Sequence, residues 1–295
     1  MEAVAFRTAS RYNGNRKTAR SAGNSGGDKM KIILSRKGFD SSNGGCPSPI
    51  LPDGTMLSLP IPTDDRDTYE DLSWQGVNYA DLLRQLRPGK PFSHCHVDPD
   101  LRPGLRSAAV EGWKPAFGQA GSAQGVLSNA GVEKGDLILF FGWFRHVEQG
   151  SNGWRFVRKS GDFFRSADLH VIYGYLQIGE ILTAPEKIAA YSWHPHASDR
   201  FRGKANALYL PAAHLSWNPE LPGYGTLDYR ADRILTMEHM PRGTWTAKPF
   251  LMPEHVYGNR KNAANGDGLY YAGIWQELVI EESEGLLAWA KRLID

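Results

Sequence analysis

Two periodicities run along this chain, and the strand period dominates. Residues 31–34, Lys31-Ile32-Ile33-Leu34, predict a short buried strand. Residues 137–141 are apolar at every position, which predicts a strand covered on both faces. The turn Val132-Glu133-Lys134-Gly135-Asp136 leads into it. Polar residues then dominate up to Asp168 and predict a hairpin with its tip at Ser151-Asn152-Gly153. Residues 169–182 predict a second long strand, bent at Gly174 or Gly179. Shorter strands are expected near 207–210 and 278–280. Helical spacing is clear twice. Leu82, Leu83 and Leu86 share a face in 79–86, a segment closed by Pro88-Gly89. Leu286, Leu287, Ala290 and Leu293 share one in 284–294. No internal repeat is visible. The expected fold class is α+β: one strand-rich domain around a curved sheet or barrel, ending in a C-terminal helix.

The first 29 residues break this pattern. They are rich in Arg, Ser, Gly and Asn and lack apolar periodicity, so a disordered basic leader is expected, with the fold opening at Met30. The domain is then 30–295. Residues 35–62 are punctuated by Gly44, Gly45, Pro47, Pro49, Pro52, Pro60 and Pro62 but carry little charge, and an ordered functional loop is expected there. The 295 residues and 41% hydrophobic content suit a globular chain with a substantial core. No apolar run approaches the roughly 18 residues of a membrane span, and no signal-peptide pattern opens the chain. Two cysteines, Cys46 and Cys95, give neither a disulfide framework nor a four-cysteine zinc site. The expected location is the cytoplasm. The net charge of +2 is uneven: the leader has six basic residues against two acidic ones, so the rest of the chain is slightly negative. Nucleic-acid contact would therefore need a local patch.

Chemistry-bearing residues gather in five segments. Ser35, Arg36 and Lys37 follow the first strand and can hold a phosphate, with Asp40 as a nearby carboxylate. In His94-Cys95-His96-Val97-Asp98-Pro99-Asp100, an extended chain would put His94, His96 and Asp98 on one side. Imidazole and carboxylate suit zinc, iron or manganese, and equally suit metal-free acid–base work with His96 oriented by Asp98 or Asp100. His194 and His196 flank Pro195 and would complete a four-ligand metal site if they met His96 and Asp98. Arg145 ends an aromatic strand after Trp143 and is a candidate anion clamp, with the surface arginine as the bland alternative. In 153–165, aromatics alternate with Arg and Lys, as a single-stranded nucleic acid or an ordinary amphipathic hairpin would require.

Several of these segments together resemble the nucleotide-modification-associated family often called Nmad3. They are Ser35-Arg36-Lys37-Gly38-Phe39-Asp40 with Gly44-Gly45 and Pro47-Ser48-Pro49-Ile50; Ser58-Leu59-Pro60-Ile61-Pro62; and His96-Val97-Asp98-Pro99-Asp100. They continue with Gly135-Asp136 leading to Phe140-Phe141-Gly142-Trp143-Phe144-Arg145, then His170, His194-Pro195-His196 and Gln276-Glu277. The resemblance spans most of residues 31–280 and implies an association with base modification rather than a defined reaction. A second resemblance, of 135–181, is to PUA-like modules including the EVE type, which implies a PUA-like barrel and a pocket for a modified or flipped base.

The leading expectation is an enzyme acting on a nucleotide or nucleic-acid base. Ser35, Arg36, Lys37, Arg145, Trp143 and His170 would bind substrate. Asp40, His96, Asp98 and Asp100 would supply acid–base groups. A divalent metal (zinc, iron or manganese) would sit on His96, Asp98, His194 and His196. The alternatives are a non-catalytic reader of modified bases and an interaction subunit of a DNA-modification or defence system. The expected partners are a nucleotide or modified base and other proteins of such a system, with no membrane.

Overall fold

The computed structural model describes residues 30–258, 264–265, 268–281 and 283–295. The expected disordered leader lies outside the described residues. Nine strands form the central sheet. They are β1 (Ile32–Arg36), β2 (Ser48–Ile50), β3 (Phe117–Ala120), β4 (Leu137–Gly150), β5 (Gly153–Phe156), β6 (Leu169–Leu182), β7 (Asn206–Pro211), β8 (Tyr224–Thr226) and β9 (Glu277–Ile280). Five α-helices accompany them among the described residues: α1 (Tyr79–Leu86), α2 (Gly121–Asn129), α3 (Phe163–Ser166), α4 (Pro185–Ala189) and α5 (Leu286–Ile294).

The sheet runs β9-β1-β4-β6-β7-β3. β8 pairs with β6, while β2 and β5 pair with the far half of β4. β1 and β2 run parallel to β4, and the other pairs are antiparallel. The sheet is curled into a half-barrel. Two contacts show how far it curls. Phe117 of β3 meets Phe140 of β4 with ring centroids 5.2 Å apart, although two strands separate them in the path. Gln119 of β3 donates to Glu277 of β9, joining the two ends. The bends have a sequence cause. The register of β6 slips between Ile172 and Gly174 against β4, and between Ile178 and Glu180 against β7. A Cβ at Gly174 would lie 3.0 Å from the Gly225 carbonyl, and one at Gly179 would lie 2.6 Å from that of Pro211. Both predicted bend points are therefore used, because only glycine admits the neighbouring backbone.

Strand alternation sorts two cores. Ile32 and Leu34 pack outward with Phe141, Trp245, Trp289 and Leu293, under α5. Ile33 packs inside the curl with Phe117, Phe140, Tyr173 and Tyr209. Ile32, Ile33 and Leu34 are fully buried, so each side chain contributes about 1.5–3 kcal/mol. α1 spans the predicted residues, capped by the Asn78 side chain, which accepts from the Ala80 and Asp81 N–H groups. Its leucines pack in a third cluster against Trp154 and Phe156 of β5. Within 153–165, Trp154 and Phe156 thus pack the hairpin against α1, while Phe163 and Phe164 fall in the short α3. No helix among the described residues is long and apolar enough to cross a membrane.

Candidate metal and acid–base centre

At the end of β1 the alternation continues into chemistry. Ser35 and Lys37 follow Ile33 into the curl, whereas Arg36 follows Ile32 and Leu34 to the outer side. The expected common phosphate cradle of Ser35, Arg36 and Lys37 is therefore divided between two faces. Inside, Ser35 Oγ donates to Glu277 Oε1 at 2.9 Å. The Lys37 ammonium lies 3.5 Å from Asp98 Oδ2, 3.9 Å from Glu277 Oε1 and 4.3 Å from the centre of the Phe117 ring. Its side chain is only 7% exposed, so its charge is balanced by these two carboxylates rather than by water.

Asp98 sits at the centre. Its Oδ1 accepts the Gly118 N–H at 2.6 Å and faces His194 Nε2 at 3.5 Å. Burial alone would raise its pKa. Lys37, His194 and His196 outweigh burial and hold the carboxyl well below its ordinary range. His196 lies beside it on a short 3₁₀ turn, Pro195–Ala197. A Cβ at Gly118 would fall 2.2–2.8 Å from three atoms of the His196 ring, so the missing side chain of Gly118 is the space the imidazole fills. Phe201 stacks on that ring at 4.2 Å.

The second nitrogens of the rings fix the first. Asn206 Nδ2 donates to the His196 carbonyl, which orients the amide so that Oδ1 accepts from His196 Nδ1 at 2.8 Å. The His196 proton is then on Nδ1, and Nε2 keeps its lone pair. Burial drops this imidazole to a pKa of about 3, despite the pull of Asp98, so it is neutral at pH 7. His96 Nδ1 lies 2.7 Å from Asp65 Oδ2, and Arg200 touches both. With Nδ1–H donated to the Asp65 carboxylate, His96 also presents Nε2. This is the carboxylate–histidine pairing that orients metal ligands. Burial acts to raise the Asp65 pKa, but the bonds from His96 and Thr63 and the charge of Arg200 lower it overall.

One ligand atom from each of His96, Asp98 and His196 lies within 4.8 Å of the others, and all three side chains are buried. Two imidazoles and one carboxylate with open positions suit iron(II), zinc or manganese. Glu277 adds a fourth ionisable group. It is fully buried, its Oε2 has no hydrogen-bond partner among the described residues, and burial pushes it to a pKa of about 7 against the pull of Lys37.

The family profile described as nucleotide modification associated domain 3 matches residues 31–281. The chain belongs to that family. No curated protein and no solved structure matches significantly. The PUA-like resemblance gains no support from these comparisons.

Within this member of the family, the structure gathers some of the expected site residues and separates others. His96, Asp98 and His196 meet. His194 touches the cluster differently. Its Nδ1 accepts the His196 N–H at 3.2 Å and its Nε2 faces Asp98, so it positions rather than joins the three. His94 is exposed and bridges Thr68 just before the two-residue strand Cys95–His96, and it does not join the cluster. Asp100 faces away from His96. It is held by Arg106 at 2.6 Å and Trp113 at 3.0 Å, while Arg106 also grips Asp67 through two bonds. The orienting carboxylate of His96 is Asp65 instead.

Asp40, Trp143 and His170 lie with Arg36 on the outer face. Asp40 accepts from Arg36 and from the Ser42 and Asn43 N–H groups, capping its loop. His170 sits among Phe141, Trp245 and Tyr271, accepts the Trp245 N–H on Nδ1, and burial drops it to a pKa of about 3. Arg145 is paired with Asp168 at 3.0 Å, which neutralises the expected anion clamp. Asp65, Gly118, Asn206 and Glu277 were not singled out as site residues. Asp65 lies in the acid-rich Thr63-Asp64-Asp65-Arg66-Asp67 stretch, and only Glu277 fell within a family motif.

Proposed function

We propose that this protein is an enzyme acting on a nucleotide or nucleic-acid base, with His96, Asp98 and His196 as its reactive centre. The observation that carries the reading is the convergence of three buried ligand groups, two of them imidazoles whose Nδ1 atoms face Asp65 and Asn206. Family membership supplies the substrate class at its coarsest. These residues would hold a divalent ion (zinc, iron or manganese), which would act as Lewis acid or activate bound water or oxygen. Asp98 would carry the negative charge of the site, and Glu277 would exchange a proton near neutral pH.

Lys37 supports a second, metal-free version. Its ammonium already balances Asp98, and His96 with Asp65 makes an acid–base pair that needs no ion. Elemental analysis separates the two. Untagged protein, expressed with metal supplementation, is compared with His96→Ala and His196→Ala. Near-stoichiometric metal that is lost in both variants supports the metal centre. Folded proteins without metal in any of the three would refute it and leave the acid–base version. A reader of modified bases is a further alternative. It predicts stoichiometric binding of a modified oligonucleotide with no change to the base, and binding that survives His96→Ala.

A further inference from the structure

The outer face of β1 carries a feature that the centre does not use. A cleft of about 930 Å³ opens there, within the size range of small-molecule sites. Among the described residues, three large hydrophobics are exposed: Met240, Tyr270 at 47% and Ile274 at 87%. All three line this cleft. Scattered exposed hydrophobics need no explanation, but three on one rim do. The polar side is equally pointed. The Arg242 guanidinium stacks over the Trp143 ring at 4.0 Å, and Arg36 enters from β1. The carboxylates at the cleft are already held, Asp40 by Arg36 and Asp168 by Arg145, which leaves Arg242 as the surplus cation. Two buried donors at the cleft, Arg36 Nε and Trp143 Nε1, have no acceptor among the described residues.

We infer that this cleft is a second site that binds a nucleoside phosphate, with the phosphate on Arg242 and the base against the aromatic rim at Tyr270. Guanidinium groups match phosphate geometry, and an exposed ring stacks a base of any sequence. The site is separate from the His96, Asp98 and His196 centre, because strand alternation sends Arg36 and Lys37 to opposite faces. A free nucleotide and a unit of a single-stranded nucleic acid offer the same chemistry.

The test titrates the full protein with thymidine monophosphate, a short oligothymidylate and inorganic phosphate, by calorimetry. Wild type is compared with Arg242→Gln and Tyr270→Ala, and metal content is followed in each. The expected result is nucleotide binding that weakens at least about tenfold in both variants, the scale of one charge-assisted contact, with metal content unchanged. Binding of the monophosphate identifies a free nucleotide as the source, and binding of the oligonucleotide alone identifies the polymer. Either supports the site. Three results overturn it: no binding of either nucleotide, binding that neither variant weakens, or inorganic phosphate binding as tightly as the nucleotides. Loss of the metal centre in the earlier test would leave this result standing, so the two ideas fail separately.

Discussion

Gly118→Ala is the sharpest test of the centre, because one methyl group aims at one ring. Gly118 does not have a positive φ, so alanine meets no backbone penalty there. The added Cβ would sit 2.2 Å from His196 Cδ2, 2.3 Å from Cγ and 2.8 Å from Nδ1. The ring cannot retreat easily, since Phe201 stacks on it at 4.2 Å and Asn206 holds Nδ1 at 2.8 Å. Either His196 swings out or β3 shifts, and β3 also delivers the Gly118 N–H to Asp98. Overpacking of this kind costs about 1–3 kcal/mol. In a domain of this size that lowers Tm by roughly 2–10 °C. Gly125→Ala is the control, because it lies inside α2 with nothing within 4 Å of its added Cβ. It should be neutral or stabilise by about 0.5–1 kcal/mol. Thermal unfolding and metal analysis of both variants give the answer. A Gly118→Ala protein with wild-type Tm and wild-type metal content would refute the packing of His196 against β3.

Three other substitutions probe the surroundings. Asp65→Asn removes the charge that orients His96 and should weaken metal binding about 10–100-fold in a chelator competition, whereas an unchanged affinity would detach Asp65 from the centre. Arg106→Ala leaves Asp100, which is fully buried, without its ion partner and should destabilise the fold by about 3–5 kcal/mol in urea, while Arg84→Ala on the surface should have no measurable effect. Glu277 has a folded pKa of about 7 against an ordinary 4.5, so the stability it contributes is present below about pH 4.5 and lost as pH rises through 7. Wild type should therefore lose up to about 3 kcal/mol between pH 5 and 8.5 that Glu277→Gln does not, and parallel stability curves for the two would contradict the raised pKa.

The sequence was most legible where burial follows a simple period. The fully apolar 137–141 run opens β4, and the spacing of Leu82, Leu83 and Leu86 gave α1 over Tyr79–Leu86. α2 escaped notice because Gly121 and Gly125 interrupt it and Ala120 offers no side-chain cap. In α5 the apolar face proved wider than expected: Trp289 and Ile294 are buried as well, while Leu287 is only half-buried. Among site residues, His96, Asp98 and His196 were readable as ligand types, and their meeting required β3 and the 195–197 turn to approach. That approach depends on Gly118, whose contribution is an absent side chain that no motif advertises. Asp65 likewise reaches His96 from 31 residues away, through a loop with no periodicity.

The motif at 35–37 shows why contiguous residues mislead. Read as a loop, Ser35, Arg36 and Lys37 form one cationic patch. Built as the end of a strand and its continuation, they cannot, because each step of the backbone reverses the face. Lys37 is held in strand geometry by its N–H bond to the Phe141 carbonyl, and a Cβ at Gly142 would lie 2.8 Å from the Lys37 carbonyl. Glycine at 142 thus lets the two strands stay paired through Lys37, and the division of charge follows from it. One cation goes to the buried carboxylates inside the curl and the other to the open cleft. Arg36, turned outward, ties its loop through Asp40 and the Gly273 carbonyl. Arg242 and the exposed apolar rim beside it on the same face are the features on which the proposed second site rests.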